Sequence, residues 1–212
     1  KRDWSSDVCS SDLTPPGFET VVTTDVLVEG VHFLSGDPPD QIARKALRVN
    51  LSDLAAKGAK PILYLLALSL GPRVDEAWIE AFASGLKADQ VEFGIGLAGG
   101  DTTSTPGPTT IAVTAIGALP RKTILRRGGA KPDHVVFVTG TIGDGALGLA
   151  VLKGELPWLG ADERAMLADR YRLPQPRTSF GPHLLGRASA AMDVSDGLVA
   201  DLRSEEHTSE LQ

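Results

Sequence analysis

The chain has 212 residues, a formal net charge of −6 and a single cysteine, Cys9. An acidic chain with no basic face lacks the electrostatic footprint of nucleic-acid or anionic-membrane binding, and no apolar run approaches the roughly 20 residues that span a bilayer. One thiol makes neither an internal disulfide nor a Cys-rich zinc site, which is compatible with a reducing cytoplasm.

Both ends differ from the middle. One back-translation of Arg203–Gln212 has a reverse complement that, shifted by one base, translates to Trp4–Asp12. Two natural termini do not do this by chance, and the DNA looks like a common sequencing adapter. Residues 1–13 and 203–212 are therefore expected to be foreign and carry no fold information. They hold −1 and −2 of the charge, leaving −3 on residues 14–202 and no cysteine there.

In chain order, Glu19–Phe33 is rich in Val and Thr and predicts a strand, with Thr23 and Asp25 on one face. After Pro38 and Pro39, Ala43, Leu47, Leu51 and Leu54 recur at helical spacing, and Asn50, Asp53 and Lys57 fall on a different face. Residues 62–70 read as a buried strand. The stretch 75–93 reads as a helix through Trp78, Phe82 and Leu86, and 94–100 and 109–119 as further strands. The basic, Gly- and Pro-punctuated stretch Arg121–Asp133 marks a boundary. Beyond it the pattern predicts a strand at 134–140, a glycine-rich turn, helices from about Ala146 and over 161–172, an element near 179–187, and then a strand, a turn and a helix start over 189–202. Strands and helices in mixed order give an α/β or α+β architecture.

Several carboxylates stand out. Asp25 sits in an otherwise apolar strand beside Thr23 and Thr24, an expensive place unless a cation or donor compensates it. Magnesium takes such oxygen ligands, although a lone Asp at a strand end also reads as a turn or cap residue. Asp53 has small apolar neighbours that permit close approach, or it is a solvated residue paired with Lys57. In Gly99-Gly100-Asp101 two glycines would admit a phosphate to the backbone, or form a plain turn. Asp193-Val194-Ser195-Asp196-Gly197 places two carboxylates before a helical pattern, where Ser195 or Asp196 can cap the helix and the helix N-terminus also favours phosphate. Arg126 and Arg127 could clamp a phosphate. His32 has no second histidine nearby in sequence, which argues against zinc. Gly143–Gly148 matches G-x-G-x-x-G, but Asp162 and Glu163, about 20 residues on, lie in a helical stretch, so the dinucleotide fingerprint is incomplete. No Walker segment is present, so ATP use must rest on metal and glycine contacts.

Taken jointly, TTDVLVEGVHF, KALRVNLSDLAAKGAKP, AGGDTT, LRRGGAKPDHVVFVTGTIGDGALGL and MDVSDGLVADL resemble thiamine-monophosphate kinase, within the aminoimidazole ribonucleotide synthetase-like superfamily. The resemblance spans 14–202 and implies a two-domain fold: an N-terminal α/β ATP- and metal-binding domain over 14–132, which also dimerises, and a partial C-terminal α/β domain over 133–202. It implies a homodimer whose N-terminal strands pair across the interface, and ATP-dependent phosphorylation of thiamine phosphate to thiamine diphosphate. By motif position, Thr23, Thr24, Asp25, Asp53, Asp101, Asp193 and Asp196 would hold Mg2+. Gly100, Asp101, Arg127 and Ser195 would contact ATP, and His32 the thiamine phosphate. No side chain is assigned as a catalytic acid, base or nucleophile. The alternatives are a selenophosphate- or aminoimidazole ribonucleotide-type synthetase, or a non-catalytic nucleotide-binding module. An upstream glycine with paired aspartates and a downstream acidic substrate motif belong to the resemblance but not to residues 14–202, and Asp12 is no substitute. The 212-residue chain is therefore expected to show little or no turnover.

Overall fold

The computed structural model describes residues 14–209, an α/β arrangement built on one four-stranded sheet. β1 (Phe18–Val28), α1 (Pro39–Ala56), β2 (Lys60–Leu70), α2 (Glu76–Phe93), β3 (Gly96–Ser104) and β4 (Thr110–Pro120) follow in order. The sheet order is β1-β4-β2-β3. β4 runs antiparallel to both neighbours, while β2 and β3, joined through α2, are parallel. That is the usual consequence of a helical crossover.

Each element has a local cause. Val- and Thr-rich β1 ends where Gly30 takes φ +81°, a conformation glycine adopts without steric cost, so the predicted strand stops short of Phe33. α1 opens on Pro39 in its first turn, where the missing N–H is no loss. α2 is capped by Asp75, which accepts the Trp78 N–H at 2.8 Å, and stops at Gly94 with φ +65°. Leu47, Leu51 and Leu54 of α1 pack, fully buried, on Tyr64, Ile111 and Val113. α1 and α2 thus cover one sheet face. On the other face Phe18, Val22, Val26 and Leu65 are exposed.

A buried ion network locks the two helices. Asp89, wholly buried, accepts from Arg48 Nε and Nη2 at 2.7 and 2.8 Å and from Arg44 Nε at 2.8 Å. Arg48 Nη1 also donates to the Pro174 carbonyl at 3.2 Å, tying in the chain beyond the basic stretch.

That later region is helical: α3 (Asp144–Leu152), α4 (Ala161–Arg172) and α5 (Leu198–Ser209), with a short 3-10 turn at Gly181–Leu184. The strands predicted at 134–140 and within 189–193 do not form. Both stretches are irregular, and Phe137 is 88% exposed. Their apolar pattern suits a strand, but among the described residues no strand lies beside them to satisfy their backbone. The dinucleotide fingerprint loses its leading strand for the same reason. Its Gly148 serves packing instead: a Cβ there would lie 2.0 Å from the Leu167 carbonyl oxygen, so only glycine lets α3 and α4 approach this closely.

Candidate functional site

The site forms where β1, α1 and the segment before α5 meet. Thr23 and Asp25 alternate with apolar neighbours on the helix-facing side of β1, which carries them to Asp53, three residues from the end of α1. The Thr23 hydroxyl donates to Asp53 Oδ2 at 2.5 Å. Asp193 joins from 170 and 140 residues later in the chain, counted from Thr23 and Asp53 respectively, and lies close enough to Asp53 for the two carboxylates to repel. Arg127 reaches in behind it, with Nη2 3.8 Å from Asp193 Oδ1.

The electrostatics follow from crowding like charges. Burial, and then repulsion from Asp53, push the Asp193 carboxyl up to about 6, with Arg127 pulling the other way. Asp25 is raised by the same two causes in the same order, and His32 lowers it. Carboxylates crowded at a desolvation cost, with Arg127 beside Asp193 and His32 beside Asp25, would gain from a further cation. A hard divalent cation with oxygen preference fits that donor set. Asn50, one turn from Asp53 on the same face of α1, is fully buried with an Oδ1 that has no partner. Among the described residues no three acidic, imidazole or thiol groups converge into a ready-made cage, so an ion here would complete its shell with water and substrate oxygens.

The other predicted residues lie elsewhere. Thr24 points to the opposite sheet face, where its hydroxyl donates to the Val113 carbonyl and meets the Thr114 hydroxyl, both at 3.1 Å. Asp101 pairs through Ala67 and Ala112 with Val26, so it shares Thr24's face, three strands from β1. Gly100 has a packing reason to be glycine, since a Cβ would sit 1.8 Å from the Leu66 carbonyl oxygen beside an irregularity in the β2–β3 register. Ser195 and Asp196 are exposed. Their backbone N–H groups donate to the buried Asp201 at 3.0 and 3.2 Å, so the helix's first turn holds the loop.

His32 is exposed on the turn after β1, and its Nδ1 accepts the Val28 N–H at 3.0 Å. In the neutral ring this leaves the hydrogen on Nε2. Lys45, Tyr171, Asp37 and Asp201, all in contact with the segments that carry site residues, are not among the candidates read from the sequence. Asp37 and Asp201 offered no signal beyond their type. Lys45 lies in α1 eight residues before Asp53 and could have been suspected only from an ionisable group on a half-buried face.

Comparison with known proteins adds to this geometry. Residues 7–119 match the family described as AIR synthase related protein, N-terminal domain. The chain is 48% identical over 187 residues to a protein of Caulobacter vibrioides named thiamine-monophosphate kinase, covering 88% of this chain and 52% of that one. A crystal structure of thiamine-monophosphate kinase from Stenotrophomonas maltophilia superposes with a TM-score of 0.83 at 41% identity, over 93% of this chain and 63% of the other. A structure of AaThiL complexed with AMPPCP and TMP superposes with a TM-score of 0.84 at 34% identity, over 93% and 62%. The chain thus spans only about half the length of the Caulobacter protein. Among the described residues no helix is long and apolar enough to cross a membrane.

Proposed function

The chain belongs to the family of AIR synthase related proteins, and on that premise we propose that the protein transfers the terminal phosphate of ATP to thiamine phosphate, yielding thiamine diphosphate. The placing of Asp53 beside both Asp25 and Asp193, with His32 near the first and Arg127 near the second, carries this reading. The 48% identity to a thiamine-monophosphate kinase supports the choice of acceptor.

Joining two phosphate-bearing substrates needs positive charge more than it needs a base, because the attacking phosphate oxygen is already ionised. Magnesium, when bound, supplies that charge. Asp25, Asp53 and Asp193 would hold it, with Thr23 fixing the Asp53 carboxylate; Asp196 and, on the other sheet face, Thr24 and Asp101 would serve further ions. Arg127 would orient the nucleotide phosphates, with the backbone at Gly100 and Asp101 and with Ser195 contributing. His32 would donate from Nε2 to the thiamine phosphate. The transfer is a direct in-line displacement with no covalent enzyme intermediate.

The exposed apolar sheet face supports a homodimer. Phe18, Val22, Val26 and Leu65 lie on one surface that nothing covers among the described residues, and a second copy would bury it.

Product formation tests the reading. Protein extended to the length of its relatives, given ATP, Mg2+ and thiamine phosphate, should yield thiamine diphosphate and ADP in equal amounts. ATP turnover that is indifferent to thiamine phosphate, or a preference for another acceptor, would overturn it.

A further inference from the structure

The loop that carries His32 is held from outside the sheet. Its carbonyl oxygen accepts the Lys45 ammonium at 2.7 Å and faces the Tyr171 hydroxyl at 3.4 Å. The same ammonium lies 3.6 Å from the centroid of the Tyr171 ring, a cation–π arrangement that fixes both side chains. Five residues on, the buried Asp37 accepts the Leu34 N–H at 2.8 Å and Arg172 Nε at 2.7 Å. Consecutive residues at the end of α4 therefore pin both ends of the segment 32–37, and α1 contributes Lys45 between them.

From this geometry we infer that Lys45 and Tyr171 are positioning residues for His32: by gripping its carbonyl they hold the ring with Nδ1 on the Val28 N–H and the hydrogen on Nε2. Three observations support the assignment. The exposed imidazole is anchored through its Nδ1 to the Val28 N–H, so its direction depends on the backbone that carries it. Burial holds the Lys45 amine down to about 8 despite the pull of Asp37, so an apolar side chain would fill the space at lower cost. The charge instead lies on the His32 carbonyl oxygen and the Tyr171 ring. Tyr171 belongs to α4, so the direction of His32 is coupled to the docking of the later region of the chain on α1.

That His32 then meets substrate rests on the function proposed above, and the two claims separate in one experiment. The uniformly 15N-labelled 212-residue chain is compared with Lys45→Met, Tyr171→Phe and Lys45→Arg. In the unaltered chain the two His32 ring nitrogens should give well-separated resonances, one bonded to hydrogen and one not. Lys45→Met should draw them together as the tautomers exchange, and the Val28 amide should exchange with solvent about tenfold faster, the equivalent of one hydrogen bond. Tyr171→Phe, which removes only a hydroxyl, should do the same more weakly, and Lys45→Arg should restore both signals. Amides of β2 and β4 report whether each variant is folded. Unchanged tautomer signals and unchanged Val28 exchange in folded Lys45→Met would overturn the inference. Thiamine phosphate is then added: a shift at His32 Nε2 that weakens in Lys45→Met supports the full claim. No shift in the unaltered chain would sink the substrate contact while leaving the positioning role to the first two signals.

Discussion

Replacing Asp53 with Asn separates stability from metal binding at this site. Asn keeps the shape and can still accept the 2.5 Å hydrogen bond from Thr23, but it removes the charge that repels Asp25 and Asp193. The Asp193 carboxyl is raised from 3.8 to about 6. A carboxyl raised on folding binds more protons in the folded state across that window, so stability falls as pH rises through it and the full cost is present at pH 7. Two units correspond to roughly 3 kcal/mol. Burial is the largest cause and Asp53 the second, so removing Asp53 should return about 1 kcal/mol, or roughly 2–4 °C in Tm for a chain of this size. Magnesium at about ten times its dissociation constant should stabilise the unaltered chain by about 1.4 kcal/mol and the variant by far less. Thermal unfolding at pH 7 in chelator and in magnesium measures both effects. If Asp53→Asn is the less stable chain in chelator, or gains as much from magnesium, the carboxylates are not a site short of positive charge.

Other perturbations follow from the fold. Asp89→Asn leaves Arg44 and Arg48 without their buried counter-charge and should cost about 3–5 kcal/mol in urea unfolding. Gly100→Ala forces a Cβ against the Leu66 carbonyl, where it would lie at 1.8 Å; β3 should detach first, seen as faster amide exchange along β2 and β3 with the β1–β4 pairing intact. Lys45 sheds its proton at about 8 when folded against 10.5 when unfolded, so the unfolded state binds more protons in between and stability should rise with pH across that window. The rise is up to ~3 kcal/mol and should be missing from the difference curve in Lys45→Met. Val26→Arg places a charge on the open sheet face and should shift a sedimenting dimer to monomer without unfolding it; an unchanged mass would discount that face as the interface.

Much of the N-terminal sheet and its two helices was legible because each of these elements is amphipathic by itself. The spacing of Leu47, Leu51 and Leu54 and the alternation that puts Thr23 with Asp25 are local properties that survive into the fold. Boundaries were less legible, since Gly30 and the register irregularity near Tyr64 and Leu65 depend on how the strands meet.

The sequence by itself determined the type and order of the elements up to Pro120 and named Asp25, Asp53 and Asp193, each ambiguous alone. Only the tertiary structure decided that Asp53 neighbours both Asp25 and Asp193 while Thr24 and Asp101 lie on the opposite sheet face, because which side of a sheet a residue occupies relative to a distant strand is set by pairing and register. It also decided that 134–140 stays irregular, since an apolar run becomes a strand only with a partner to take its backbone hydrogen bonds. The grip of Lys45 and Tyr171 on His32 belongs to the same class: 139 residues separate Tyr171 from the carbonyl it faces, and only the packing of α4 on α1 brings them together.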